Sequence, residues 1–209
     1  MIRILVADDH IVVRRGLKMI LLEGFPGAHI EEVGDAEDLI KQVMKAEWDV
    51  VISDLSMPGR SGLDALIQIK PMRPNLPILI LSIHPEEQYA IRVLKAGASG
   101  YLSKDMAPDE LVNAVQKVML GKKYITPSIA EKLASVFDQD QTKLPHETLS
   151  DREFDVLKML ATGKSVSEIA ETLFLSVTTV STYRARIITK MNLKNNAELT
   201  LYAIENKLI

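Results

Sequence analysis

Cysteine is absent from the 209 residues, which excludes a disulfide framework and a thiolate metal site and fits a reducing cytoplasm. Long apolar runs are missing as well. The opening Met1-Ile2-Arg3-Ile4-Leu5-Val6-Ala7-Asp8-Asp9 turns acidic after six apolar-rich residues, the pattern of neither a signal peptide nor a membrane span. A strong net charge is lacking too, since −3 is too mild to identify a partner. Acids are missing locally: none occurs from Thr172 to Ala197, although Arg184, Arg186, Lys190 and Lys194 fall there and the chain holds 28 acids. That window makes a basic face, which serves either nucleic acid or plain solvation. What is present, 47% apolar and 25% charged residues, is the balance of a globular chain with room for one large or two ordinary domains.

Up to residue 120, short β-rich runs alternate with amphipathic stretches. The runs are Ile2 to Ala7, His29 to Val33, Asp49 to Ser53, Pro77 to Ser82 and Ser99 to Leu102. Helical patterns lie near 11–22, 36–46, 62–71, 86–96 and 108–120. Five βα repeats predict an α/β sandwich on a parallel sheet. Gly121 closes the last helix, and Thr126 to Phe137 can form one more short helix. The polar stretch from Asp138 to Pro145 reads as a linker. Beyond it the pattern is helical throughout. Ser150 and Glu153 make a capping box before Phe154, Val156, Leu157 and Leu160, and Gly163 stops that helix. Further helices are expected at 166–173, 177–191 and 195–206, with Ser176 and Asn195 as caps.

In an open parallel sheet, ligands gather at the carboxyl ends of strands where the strand order reverses. The flavodoxin-like order 2-1-3-4-5 puts Asp8 and Asp9 beside Asp54. Three converging carboxylates repel one another and call for a cation, and hard oxygen ligands favour Mg²⁺ over zinc. Ser82 ends the fourth strand and Lys104 follows the fifth, adding a hydroxyl and an ammonium to the same edge. Singly, these residues also serve as helix caps, loop caps or solvated side chains. Together they suit a phosphoryl group: the cation and Lys104 neutralise its oxygens, Ser82 donates a hydrogen bond, and Asp54, alone at the tip of the central strand, attacks phosphorus.

Asp8-Asp9, Asp54 with Met57-Pro58-Gly59 and Gly62, Ser82, and Gly100-Tyr101-Leu102-Ser103-Lys104 resemble the receiver domain of two-component response regulators over residues 2–120. The resemblance implies that Asp54 accepts a phosphoryl group from a histidine kinase. It also implies that Asp9, Asp54 and the backbone carbonyl of Ser56 bind Mg²⁺ directly, that Asp8 helps through water and that Lys104 contacts the phosphate. Ser82 and Tyr101 become the switch pair, the ring turning into space that Ser82 vacates. Many receivers carry proline after the lysine in a cis bond; here Asp105 follows, which leaves that geometry open. Ser56 and His84, two residues beyond Asp54 and Ser82, stand at the mouth of the site and are expected to tune how fast water removes the phosphoryl group.

The stretch from Ser165 to Val180 has the spacing of helix, tight turn, helix. Ile169, Ala170 and Leu173 supply the inner face of the first helix, and Val177, Val180, Ile187 and Met191 are expected to bury the second. The run from Leu149 to Leu193 resembles the LuxR-type helix-turn-helix, and its combination with a receiver resembles the NarL/FixJ class. That resemblance makes 166–185 the helix-turn-helix and 177–191 the recognition helix in the major groove. Ser181, Thr182 and Ala185 then face base edges, with Thr179, Tyr183, Arg184, Arg186 and Lys190 as phosphate contacts or supports. Val166, Ser181 and Tyr183 depart from the usual Asn, Lys and His, which puts the target sequence in doubt and makes affinity lean on phosphates.

The expected organisation is a receiver over 1–121, a linker over 122–144 able to hold one short helix, and an all-α helix-turn-helix domain over 145–209. The expected function is a cytoplasmic transcription factor, not an enzyme beyond transfer to and hydrolysis at its own Asp54. Its partners are a cognate histidine kinase, double-stranded promoter DNA and a second copy of itself, with no membrane. Inhibition by domain contact and activation by dimerisation are both compatible with such a chain. Two other readings stay open. One is a phosphorylation-independent DNA-binding regulator that uses its receiver to dimerise. The other is an aspartyl-phosphate hydrolase, disfavoured because Ser56 occupies the place of its acid/base carboxylate.

Overall fold

The β-branched runs at the centre of the sheet become strands because they are covered on both faces. A computed structural model describes residues 1–138 and 144–209; residues 139–143, inside the expected linker, lie outside the described residues. The chain divides into two units, Met1–Asp138 and Gln139–Ile209. In the first, β1 (Arg3–Ala7), β2 (His29–Val33), β3 (Val50–Asp54), β4 (Ile78–Ser82) and β5 (Gly100–Ser103) form one sheet in the order β2-β1-β3-β4-β5. Every pairing is parallel. All five residues of β3 and of β4 are buried. The helices between strands are α1 (Ile11–Gly24), α2 (Ala36–Lys45), α3 (Gly62–Met72), α4 (Glu86–Lys95) and α5 (Ala107–Met119). In α2 the buried Ala36, Leu39, Ile40 and Val43 recur at helical spacing, so one stripe faces the sheet and the rest faces water.

Register carries the site. Ala7 pairs with Ser53 and Ser82 with Ser103, so Asp8, Asp54, Ser82 and Lys104 emerge along one edge. The helix expected within the linker forms as α6 (Pro127–Asp138) and packs on α4. Tyr124, just before it, makes a parallel bridge with Gly100 at the outer edge of β5. A side chain at Gly100 would meet Tyr124 Cβ at 2.8 Å, so glycine is required for that close approach.

The second unit is helical, with α7 (Asp151–Ala161), α8 (Val166–Thr172), α9 (Val177–Lys190) and α10 (Asn196–Glu205). The Ser150/Glu153 box forms as the spacing predicts, and a second, Ser165 with Glu168, starts α8. Ser176 and Asn195 cap α9 and α10 by accepting from Thr179 N–H and Glu198 N–H. Buried Ile169 and Ala170 of α8 meet α9, whose own buried residues are Val180 and Ile187, followed by Met191. Val177 does not join them: it is 51% exposed. Helical side chains lean toward the N-terminus, so a valine at the first position covers the exposed turn ahead of it rather than the core. Among the described residues no helix is long and apolar enough to cross a membrane.

Candidate functional site

Asp54 is the last residue of β3 and Asp8 follows β1; both are buried, while Asp9 is partly exposed. One ligand atom from each of Asp8, Asp9, His10 and Asp54 lies within 4.8 Å of all the others. Directly after β5 the chain makes one 3-10 turn, Lys104–Met106. That turn starts with Lys104, whose Nζ is 2.6 Å from Asp8 Oδ2 and 2.9 Å from Asp54 Oδ2. The Lys104–Asp105 bond is trans, as are all peptide bonds among the described residues. His10, which the motifs did not single out, brings Nδ1 to 2.8 Å from Asp9 Oδ1. Its place directly after Asp8-Asp9 was the available signal.

The electrostatics follow from burial. Desolvation raises the Asp54 carboxyl to about 6, with Asp8 adding to the rise, while Lys104 and the Ser56 backbone N–H pull it down. Burial acts to lower the Lys104 ammonium, but Asp8 and Asp54 outweigh it and hold its pKa above the ordinary value. Asp8 Oδ2 and Asp9 Oδ1 are buried, and their near neighbours are Lys104 Nζ at 2.6 Å and His10 Nδ1 at 2.8 Å. Carboxylates in excess over ammonium, with one partly exposed ligand, are consistent with a site for a hard divalent cation that keeps some water.

The turn after β3 is fixed by backbone contact. Gly62 opens α3 directly against Asp54, where an added Cβ would stand 1.9 Å from the Asp54 carbonyl oxygen. Gly62 N–H donates to Leu55 O at 2.9 Å, and Ser61 caps α3 through a box with Asp64.

Ser82 is fully buried, and its Oγ accepts from His84 N–H at 3.1 Å. The Tyr101 ring is fully buried and its hydroxyl donates to His84 O at 2.7 Å. The His84 ring stacks on Tyr89 at 4.8 Å between centroids and shares a 2.9 Å hydrogen bond with Ser56 Oγ across the mouth. Both mouth residues are therefore brought together.

In the helical unit Ser181, Thr182, Arg184, Ala185 and Arg186 are exposed on α9. The Thr182 hydroxyl donates to Thr178 O, and Arg184 Nε donates to Asn196 Oδ1 at 2.8 Å. Thr179 and Tyr183 are half-buried. Lys190, expected at phosphate, is exposed and also pairs within the unit: its Nζ lies 2.6 Å from Glu153 Oε2.

A strand-tip aspartate poised for phosphoryl chemistry, on the same chain as a helix-turn-helix, defines a signal-controlled reader of DNA. Comparison with known proteins agrees. The response regulator receiver domain family matches residues 4–116, and the family of bacterial regulatory proteins of luxR type matches residues 147–203. The response regulator UvrY of Escherichia coli K12 is 41% identical over 212 residues, spanning 100% of this chain and 96% of its own. The oxygen regulatory protein NreC of Staphylococcus carnosus is 39% identical over 214 residues, 99% of each chain. A solved structure of RcsB from Salmonella enterica serovar Typhimurium, bound to promoter rprA with the phosphomimetic BeF3-, superposes with a TM-score of 0.61 at 29% identity. It covers 97% of this chain and 98% of that one. The chain belongs to the NarL/FixJ class of response regulators, a receiver followed by a LuxR-type helix-turn-helix. It is a phosphorylation-switched, DNA-binding regulator of a two-component system, and members of this family carry out only phosphotransfer and autodephosphorylation.

Proposed function

We propose that Asp54 is the phosphoacceptor and that a cognate histidine kinase supplies the group. The observation that carries this reading is the Asp54 carboxylate, 2.9 Å from Lys104 Nζ within the Asp8–Asp9 cluster. An Asp54 oxygen attacks the phosphorus of the kinase phosphohistidine, the P–N bond breaks as the P–O bond forms, and an acyl phosphate results. Lys104 releases its hold on the Asp54 oxygen and takes up a phosphoryl oxygen. Ser82, whose oxygen accepts from His84 N–H, keeps its proton to donate to another. Asp9, Asp54 and the Ser56 carbonyl would hold Mg²⁺, with Asp8 acting through water. When bound, that ion supplies neutralisation of the phosphoryl charge. Water later hydrolyses the acyl phosphate, and the Ser56–His84 bridge across the mouth sets its access.

The partners that follow are the kinase, double-stranded promoter DNA read by α9, and a second copy of the chain, so that two recognition helices reach neighbouring half-sites. A DNA-bound regulator of this kind works in the cytoplasm. The test is incubation with Mg²⁺ and a small acyl phosphate, followed by intact mass and DNA binding. Wild type should gain one phosphoryl group and bind promoter DNA more tightly, and Asp54→Ala should do neither. His84→Ala should be labelled but lose the group at a different rate. A wild type without mass gain would overturn the acceptor assignment, and equal DNA affinity with and without the label would favour a phosphorylation-independent regulator.

A further inference from the structure

The segment ahead of α6 touches the switch from two sides. On one side Tyr124 bridges Gly100, the residue before Tyr101, and donates its N–H to Ser99 O at 2.9 Å. On the other, Thr126 Oγ1 donates to the Glu86 carboxylate, lying 2.9 and 3.0 Å from its two oxygens. The same Oγ1 accepts from Ile129 N–H at 3.3 Å, so one hydroxyl both grips the first residue of α4 and caps the first turn of α6. Ile129 is buried as α6 lies on α4.

Glu86 is only two residues beyond His84, the point where the switch converges. Ser82 Oγ holds His84 N–H, and Tyr101 holds His84 O. A short loop pinned at both backbone groups of His84, with Pro85 restricting the next torsion, moves Glu86 when it moves. A phosphoryl oxygen that accepts the Ser82 proton fixes this inward arrangement and fixes Glu86 in reach of Thr126.

We propose that the Thr126–Glu86 clasp passes the phosphorylation state of the receiver to α6, the segment that leads on to the helical unit. The clasp is closed and α6 docked in this structure; phosphorylation holds that arrangement, and dephosphorylation lets both loosen more often. Thr126 and Glu86 are positioning residues, and the inference rests on Asp54 being the acceptor.

The experiment is amide hydrogen exchange of the full-length chain over α6, with and without a small acyl phosphate and Mg²⁺, each sample weighed intact. In wild type, phosphorylation should raise α6 protection about tenfold, within the usual range of coupling between sites. Thr126→Val and Glu86→Ala should each cut that gain below about twofold while taking up the same phosphoryl mass. The double variant should lose no more than either single, since both remove one contact. Glu86→Ala leaves the α6 cap in place, and Thr126→Ser, which keeps the hydroxyl, should restore the gain. A gain equal in all variants, or none in a fully labelled wild type, would overturn the clasp. Absence of label in wild type would overturn the acceptor assignment itself, which the mass distinguishes.

Discussion

Asp54 is kept reactive by being kept uncomfortable. Its carboxyl is raised to about 6 in the folded chain, chiefly by burial, against an ordinary carboxyl value near 4 in the unfolded chain. The folded state therefore binds more protons than the unfolded state between those two values. Stability falls as pH rises through that window, and the loss is complete above about 6. A shift of this size corresponds to roughly 2–3 kcal/mol. At neutral pH the group is still mostly carboxylate, so the proposed nucleophile is present at the expense of stability. In the absence of divalent cations, Asp54→Asn should stabilise the chain at pH 7 by roughly 2–3 kcal/mol and should matter little at pH 4. Urea unfolding at the two pH values measures this, and an equal effect of the substitution at both would refute the argument.

At the scale of elements, the helical unit is tied together by one carboxylate with two tasks. Glu153 Oε2 accepts from Ser150 N–H at 2.7 Å as the third residue of α7, and the same oxygen meets Lys190 of α9. Burial pushes its pKa upward, but the bonds from Lys190 and Ser150 prevail and hold it below the ordinary carboxylate value. The stability it adds is present above its unfolded pKa and is lost as pH falls through the lower folded one. Lys190→Ala should cost about 1–3 kcal/mol at pH 7, the penalty of leaving a buried acceptor poorly satisfied, and less once Glu153 is protonated. Denaturation followed by helical circular dichroism at pH 7 and pH 3 checks both parts. The same pair shows where the sequence stops being legible. Ser150 and Glu153 are three residues apart and read as a box, whereas Lys190 is 37 residues from Glu153 and is linked to it only by how α7 and α9 cross. The strands were legible from β-branched runs, and strand order then placed Asp8, Asp54, Ser82 and Lys104 on one edge. The 3-10 turn that aims Lys104, the exposure of Val177 and the docking of α6 on α4 were not, because each depends on contacts between elements rather than on periodicity within one.

For the whole molecule, the balance of charge is acidic, −3 over 209 residues, and would by itself repel DNA. Binding must therefore use the acid-free window of the helical unit, where Arg184, Arg186, Lys190 and Lys194 are exposed and Lys190 alone of the four pairs with Glu153. The exposed side chains expected to face bases, Ser181, Thr182 and Ala185, are short and uncharged, so phosphate contacts should supply most of the affinity. If two copies each neutralise about three phosphates, the logarithm of affinity should fall against the logarithm of salt with a slope of about −5. Arg186→Ala should flatten that slope by about 2, one phosphate per copy. Lys190→Ala should leave the slope alone while lowering stability, since its charge is already spent inside the unit. Fluorescence anisotropy of the phosphorylated chain on labelled promoter DNA across a salt series measures all three. A wild-type slope near −1, or a slope flattened by Lys190→Ala as much as by Arg186→Ala, would show that this division of the cations is wrong.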